Sequence, residues 1–323
     1  PNARLNTYSI GLAGSVDLFW AKRVAEFLGT THHEVCVSEA DFLNAIDATV
    51  EQTESYDTTT IRASVGNYLV SKYISETTDD VVIYCGDMSD EIFGSYRGFC
   101  NAKLDSEFEV ENERMVSDVR FFDLLRSDKS ISGCGLEARV PFADKAFLEY
   151  VMRIAPSHKR FNTGSYIEKS ILRCAFDELD EANALLPTDV LWRRKEAFSD
   201  GVSAQPVHVS PLSSPLSSPL ISPKEPGSSA AVTAKAPRTW IDMIRDYVDA
   251  RVSDEEYAAE RRKFIHNTPY DKESYYYRKV FERLYPGRER MIPYFWRHPF
   301  CNELDPSARL LNLTARNGAT VKP

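Results

Sequence analysis

The stretch Val81-Val82-Ile83-Tyr84-Cys85-Gly86-Asp87-Met88-Ser89-Asp90-Glu91-Ile92-Phe93-Gly94 decides how this chain folds. A short apolar run, rich in β-branched residues, stops at Gly86, and three carboxylates follow within five residues. The run reads as a buried strand over 81–85, and the change at Gly86 reads as a turn into a helix. In α/β sheets, ligands collect just beyond the carboxyl ends of the strands. Carboxylates placed there suit Mg²⁺, which takes oxygen ligands and commonly arrives with substrate phosphates. The same acids equally suit a solvated first helical turn, because the helix dipole favours Asp and Glu. The residues of this stretch alone leave both readings open.

Working outward, residues 7–12 and 33–37 read as two further short strands. Between them Leu18, Ala21, Val24, Ala25 and Leu28 recur at helical spacing, with Ser15 or Asp17 available as the cap. Ile61, Val65, Tyr68, Leu69 and Tyr73 form a second apolar stripe, whose spacing predicts a core-packed helix. This alternation predicts an α/β fold, a parallel sheet with helices on both faces. The strands at 7–12, 33–37 and 81–85 are expected as neighbours, with Gly14 and Gly86 at one end.

Beyond about residue 107 the strand signals fade, which predicts a mainly helical C-terminal region. Residues 166–180 read as an amphipathic helix, with Lys169 and Arg173 on its polar side. Residues 203–238 carry a Ser-Pro-Leu-Ser repeat that blocks helix and interior strand; they read as a disordered or extended insertion. Each Ser-Pro in it is also a conceivable site of proline-directed phosphorylation. The expected division is therefore 1–202 as the α/β core and first helical part, 203–238 as the insertion, and 239–323 as the remaining helical part.

Composition narrows the function. The 323 residues are 43% hydrophobic and 27% charged, with a formal net charge of −9 and a pI near 5.3. That balance speaks against general affinity for nucleic acid, which needs basic surfaces, while leaving room for a nucleotide in a local Lys/Arg pocket. Cys36, Cys85, Cys100, Cys134, Cys174 and Cys301 are widely spaced. Neither a zinc site nor a disulfide framework is expected, and the compartment is expected to be reducing and cytoplasmic. No 18-residue apolar run is present, so no membrane span is expected. Pro1-Asn2-Ala3-Arg4 shows neither a signal-peptide pattern nor an initiator Met, and residues upstream are expected to be absent from this chain.

The 81–94 stretch resembles the S-G-E-G-S-D-E motif in the ATP-dependent synthetase domain of asparagine synthetases. Tyr8-Ser9-Ile10-Gly11-Leu12 with Gly14-Ser15-Val16-Asp17-Leu18 is similar to that family's first strand-to-helix turn after its pyrophosphate loop. Tyr56 to Ser64 (YDTTTIRAS) resembles Y-D-x-T-T-x-R-A-S, and Gly135 to Phe142 (GLEARVPF) resembles G-L-E-x-R-V-P-F. Leu191 to Gly201 (LWRRKEAFSDG) resembles L-W-R-x-K-E-x-F-S-D-G, and Tyr275–Gly287 and Asp305–Arg309 are similar to the C-terminal part of eukaryotic-type enzymes. The likeness covers nearly everything except residues 203–238.

The resemblance implies a nucleotide alpha-hydrolase-like fold and asparagine synthesis. ATP would adenylylate the side-chain carboxylate of aspartate, and ammonia, drawn from glutamine by a separate glutaminase domain, would displace AMP. It implies ATP and Mg²⁺ as cofactors, Ile10 against the adenine, and Cys85 and Gly86 meeting the nucleotide through their backbone. Asp87 would stand where the family has a glutamate that helps form the acyl-adenylate, and Asp90 would be the Mg²⁺–pyrophosphate carboxylate. Lys195 would contact phosphate and stabilise developing charge; Thr59 and Arg62 would belong to the aspartate or pyrophosphate pocket. For Glu137 and Arg139 a structural ion pair competes with a catalytic role. A homodimer is compatible with the likeness.

Three departures shape the expectation. The family's S-G-G-L-D-S-S loop belongs shortly before Tyr8 and is not in this chain, which removes backbone donors for the departing phosphates. No glutaminase domain is present, and residue 1 is Pro where such a domain has a cysteine nucleophile. S-G-E-G has become Cys85-Gly86-Asp87-Met88: Asp is one methylene shorter than Glu, and Met disfavours the φ > 0 open to Gly. Met88 is also expected to put a bulky group near the phosphates. A degenerate, non-catalytic synthetase-like protein is the alternative.

Overall fold

The computed structural model describes residues 4–161, 167–177, 184–193, 195 and 238–300, with the backbone of 313–314 and 320–321. Elements run in the order β1 (Asn6–Leu12), α1 (Val16–Leu28), β2 (Thr31–Val37), α2 (Glu39–Asn44), α3 (Ile46–Thr53), α4 (Thr58–Thr77), β3 (Val82–Tyr84) and α5 (Ser89–Ile92). Then come α6 (Asp105–Asp118), α7 (Asp123–Ser132), β4 (Glu137–Arg139), α8 (Lys145–Met152), α9 (Pro156–Lys159), α10 (Ser170–Asp177) and α11 (Thr188–Leu191). Past the insertion lie α12 (Trp240–Asp249), α13 (Asp254–Glu260) and α14 (Lys272–Leu284), and the short strands β5 (Leu313–Thr314) and β6 (Thr320–Val321) pair antiparallel. The insertion itself, and with it the expectation for 203–238, lies outside the described residues.

Local chemistry sets the boundaries. The Ser15 side chain accepts from the Leu18 N–H at 3.3 Å and caps α1, as its place in the sequence predicts, and Gly29 closes the helix in the left-handed region at φ 67°. Asp57 caps α4, accepting from the Thr60 N–H at 2.8 Å and hydroxyl at 2.9 Å. It also accepts from the Trp296 N–H at 2.7 Å, so the cap joins the C-terminal segment to the first half of the fold.

β1 and β2 pair in parallel with Ile10 opposite Val35, as the alternation predicts. The third strand differs from expectation. β3 pairs in parallel with β4, Ile83 opposite Ala138, and makes no ladder with β1. A three-residue strand reading Glu-Ala-Arg carries too little periodicity to be seen in sequence. Asn6 Nδ2 donates to Asp80 at 2.8 Å and the Tyr8 hydroxyl donates to the same carboxylate, tying the starts of β1 and β3. Past their other ends, Arg193 pairs with Asp17 at 2.9 Å and Lys195 with Asp90 at 3.1 Å. These ties place the turns at Gly14 and Gly86 on one side of the fold. Among the described residues β1 pairs only with β2 and β3 only with β4, and Tyr84 is 75% exposed.

The main core draws on both halves of the chain. Ile10 and Leu12 of β1 pack with Ile46, Val50, Tyr56, Ile61 and Val65, and also with Trp240, Ile244, Tyr277 and Phe281 from the C-terminal helices. The deepest polar tie in it is ionic. Arg62 of α4 donates from Nε and Nη2 to the two Glu273 oxygens of α14, both at 2.7 Å, with each side chain 3% exposed. Tyr277 donates to Glu273 at 3.0 Å, and Trp240 Nε1 donates to the Arg62 carbonyl at 3.2 Å.

His298 gives the fold a pH dependence. Its ring stands edge-on to Phe99 at 4.6 Å, and its buried Nε2 has no hydrogen-bond partner. Burial, reinforced by the Arg114 charge, pushes the imidazole down to about 3. The unfolded chain takes up this proton near the ordinary histidine pKa, about 6.5, while the folded chain resists it. Stability is therefore lost as pH falls from that value toward 3. At pH 5 the loss amounts to about 1–2 kcal/mol relative to pH 7. Asp57, which burial pushes up to about 6, works in the opposite direction over the same window, so the His298 effect is read as a difference. Between pH 7 and pH 5, urea titrations should show the native chain losing about 1–2 kcal/mol more stability, or gaining that much less, than His298→Gln; equal changes in both would place the dependence elsewhere.

Candidate active site

The site is built where β3 stops. Gly86 is exposed, and a Cβ there would meet nothing within 4 Å, so its backbone is open to a ligand. Cys85 donates its N–H to the Arg139 carbonyl at 3.0 Å, which continues the β3–β4 pairing to the edge of the turn. Burial, with the neighbouring Asp87 charge, pushes its thiol up to about 12, so Cys85 is no thiolate at neutral pH. Met88 corrects the sequence expectation. It does adopt φ 72°, and its side chain, 5% exposed, packs with Ile92, Phe93, Val119 and Val151. The left-handed backbone costs a non-glycine residue roughly 1 kcal/mol, which burial of the side chain offsets.

Asp90 is the electrostatic centre. Oδ1 meets the Lys169 ammonium at 2.9 Å, Oδ2 meets Lys195 Nζ at 3.1 Å, and the Ser95 hydroxyl donates to Oδ1. Burial alone would raise the carboxyl pKa; Lys195 and Lys169 outweigh it and hold Asp90 well below the usual carboxylate range. Burial likewise opposes the Lys195 charge, and Asp90 outweighs it, so that pKa is raised. Lys169 also donates to Ser89 Oγ at 2.9 Å. Its own backbone sits at φ 58°, immediately before α10. The sequence reading put Lys169 on the polar side of a helix over 166–180; the helix starts at Ser170, and Lys169 turns into the site instead.

Lys195 is fixed from several sides. Its N–H donates to Glu168, which also pairs with Arg173 at 3.2 Å. Its ammonium lies 4.9 Å from the centre of the Tyr96 ring. Two residues earlier, Arg193 reaches Asp17 and lies 5.5 Å over the Trp20 ring.

The other residues singled out from sequence are placed differently. Asp87 has both oxygens engaged by α7: Arg126 Nη2 donates to Oδ1 at 3.0 Å and the Ser127 hydroxyl donates to Oδ2. Arg62 has its guanidinium on Glu273, and the Thr59 hydroxyl donates to the Trp296 carbonyl at 3.3 Å. The Ile10 side chain is 3% exposed and belongs to the main core. Glu137 and Arg139 pair with each other on the surface. The structure thus gathers Asp90, Lys195 and the open Gly86 turn around α5. It adds Lys169, Tyr96 and Arg126, which no motif marked.

Among the described residues no group of three or more His, Cys, Asp and Glu is arranged to hold a metal. Asp90, the carboxylate expected to bind Mg²⁺, is already neutralised by two ammonium groups. Among the described residues Asp90 is the counter-ion shared by two lysines. The five described cysteines are free, and no described helix is long and apolar enough to cross a membrane.

A parallel strand that ends in an open glycine turn, beside two lysines gathered on one carboxylate, defines an α/β protein whose candidate site lies at its strand ends. The chain belongs to the asparagine synthase family, whose pattern matches residues 2–114 and 101–304. It is 39% identical over 307 residues to the asparagine synthetase (glutamine-hydrolysing) of Cricetulus griseus, and 38% identical over 307 residues to those of Homo sapiens and Gallus gallus. Each match takes in 95% of this chain and 48% of the relative, so the chain spans about half the length of the curated relatives it matches.

Proposed function

We propose that this chain is the synthetase part of an asparagine-forming ligase and that its site activates aspartate with ATP. The observation that carries the reading is the pair Lys169 and Lys195, gathered on Asp90 beside the exposed Gly86 turn. In the first step the aspartate side-chain oxygen forms a bond to the α-phosphorus of ATP, and the bond from that phosphorus to the pyrophosphate oxygen breaks. Negative charge accumulates on the leaving pyrophosphate, where two ammonium groups in a partly dehydrated site are most effective. In the second step ammonia attacks the acyl carbon of β-aspartyl-AMP, the bond to AMP breaks, and the nitrogen gives up a proton. Gly86 offers backbone to the nucleotide, and Asp90 keeps both lysines aimed.

A second reading, a nucleotide-binding relative without catalysis, is favoured by one observation. Both Asp87 oxygens are engaged by Arg126 and Ser127, which leaves that carboxylate little freedom to face a substrate. The two readings separate in one set of measurements. ATP binding by calorimetry is expected for the chain and should be lost in Lys195→Ala. Pyrophosphate release with ATP, Mg²⁺ and aspartate is expected to be feeble with ammonia and absent with glutamine. Failure to bind ATP would remove the synthetase reading. Brisk aspartate-dependent release would show that no phosphate loop of the S-G-G-L-D-S-S kind is needed.

A further inference from the structure

We propose that Tyr96 and Arg126 are positioning residues, and that α7 is the platform through which they set the Lys195 ammonium and the Asp87 carboxylate. The proposal rests on the reading that Lys195 and Asp87 serve the reaction. The contacts form one continuous chain. Arg126 Nη2 donates to Asp87 Oδ1 and to Asp123 Oδ1, both at 3.0 Å, and so bridges the β3–α5 turn to the first turn of α7. The other Asp123 oxygen faces the Tyr96 hydroxyl at 3.1 Å, and the same hydroxyl lies against Glu91 Oε1. The far side of this anchored phenol is its ring face, and Lys195 Nζ lies 4.9 Å from the ring centre.

Each link constrains the next. The Tyr96 hydroxyl lies between Glu91 and Asp123, so it is held from two sides. Asp123 spends one oxygen on Arg126 and the other on the phenol, and the phenol is pinned at its oxygen. A pinned phenol cannot turn its face away from Lys195. Arg126 is 8% exposed, and its Nε has no partner, so its hold on the two aspartates comes from the far end of the guanidinium. A cation–π contact of this kind is a weak, directional attraction. That is small for folding, yet enough to change how often an ammonium leaves its place.

The test needs neither substrate nor turnover, so it stands apart from the proposed activity. Brief acetylation of the folded chain with acetic anhydride, followed by peptide mass spectrometry, reads the reactivity of each lysine. Lys195 and Lys169 share Asp90, and Lys169 serves as the internal control. Tyr96→Leu is expected to raise Lys195 labelling several-fold with Lys169 unchanged. Tyr96→Phe keeps the ring and loses its anchor, and should give a smaller rise. Equal rises at both lysines would mean general loosening, and no change at Lys195 would mean that the ring does not hold it; either result overturns the proposal.

Carbodiimide coupling of carboxylates reads the other arm. Arg126→Gln should expose Asp87 several-fold over Asp90, and Arg126→Lys, which keeps the charge without the bridging fork, should restore part of the protection. Asp87 labelling that does not change in Arg126→Gln would remove Arg126 from the scheme. If the labelling pattern holds but the native chain binds no ATP, the positioning network stands and the synthetase reading falls.

Discussion

Glu273→Ala is expected to destabilise the chain by about 3–5 kcal/mol, because it removes the bidentate carboxylate from a buried guanidinium. Both groups are 3% exposed, both Arg62–Glu273 bonds are 2.7 Å, and the Arg62 carbonyl also anchors Trp240. Truncation removes the acceptors of Arg62 Nε and Nη2 at the contact between α4 and α14. It also leaves the Tyr277 hydroxyl without its acceptor. Replacing both partners together, Arg62→Met with Glu273→Met, should cost far less, since an apolar pair needs no compensation. Denaturant titrations of the two single variants and the double variant check this. Additive losses would show that the ion pair is incidental to the packing around it.

Lys195→Ala and Asp90→Asn are each expected to lower the rate of aspartate-dependent pyrophosphate release on the order of 10²-fold, the usual effect of losing one preorganised electrostatic group. The measurement belongs in a longer chain that supplies a phosphate loop of the S-G-G-L-D-S-S kind. Lys195 offers charge where pyrophosphate parts from AMP. Asp90 acts one step back, since it fixes Lys195 and Lys169 together. These interactions strengthen as charge develops on the leaving group, so kcat should fall more than KM rises. Asp90→Asn removes the counter-charge while keeping the shape, and its two lysines should then repel each other. Unchanged release in both variants would mean that the site works by other groups.

The sequence by itself determined the elements and the family. Apolar periodicity marked β1, β2, α1 and α4, and the capping serine at 15 marked where α1 begins. The glycine turn after an apolar run marked the candidate site, and long ordered motifs marked Lys195 and Asp90, which the structure pairs beside it. These features are local: spacing, caps and turns are written within a few neighbouring residues.

Only the tertiary structure decided what each charge meets. Arg62 and Glu273 are 211 residues apart in sequence, and Lys169 reaches Ser89 across 80 residues. Pairings of this kind depend on which surfaces pack together. That choice is made by burial of the whole apolar set and not by any short pattern. The same holds for β4, whose three residues show no strand periodicity and pair only because β3 lies beside them. It holds for Met88 too, where the pull of the surrounding apolar side chains outweighs the backbone's preference against φ > 0.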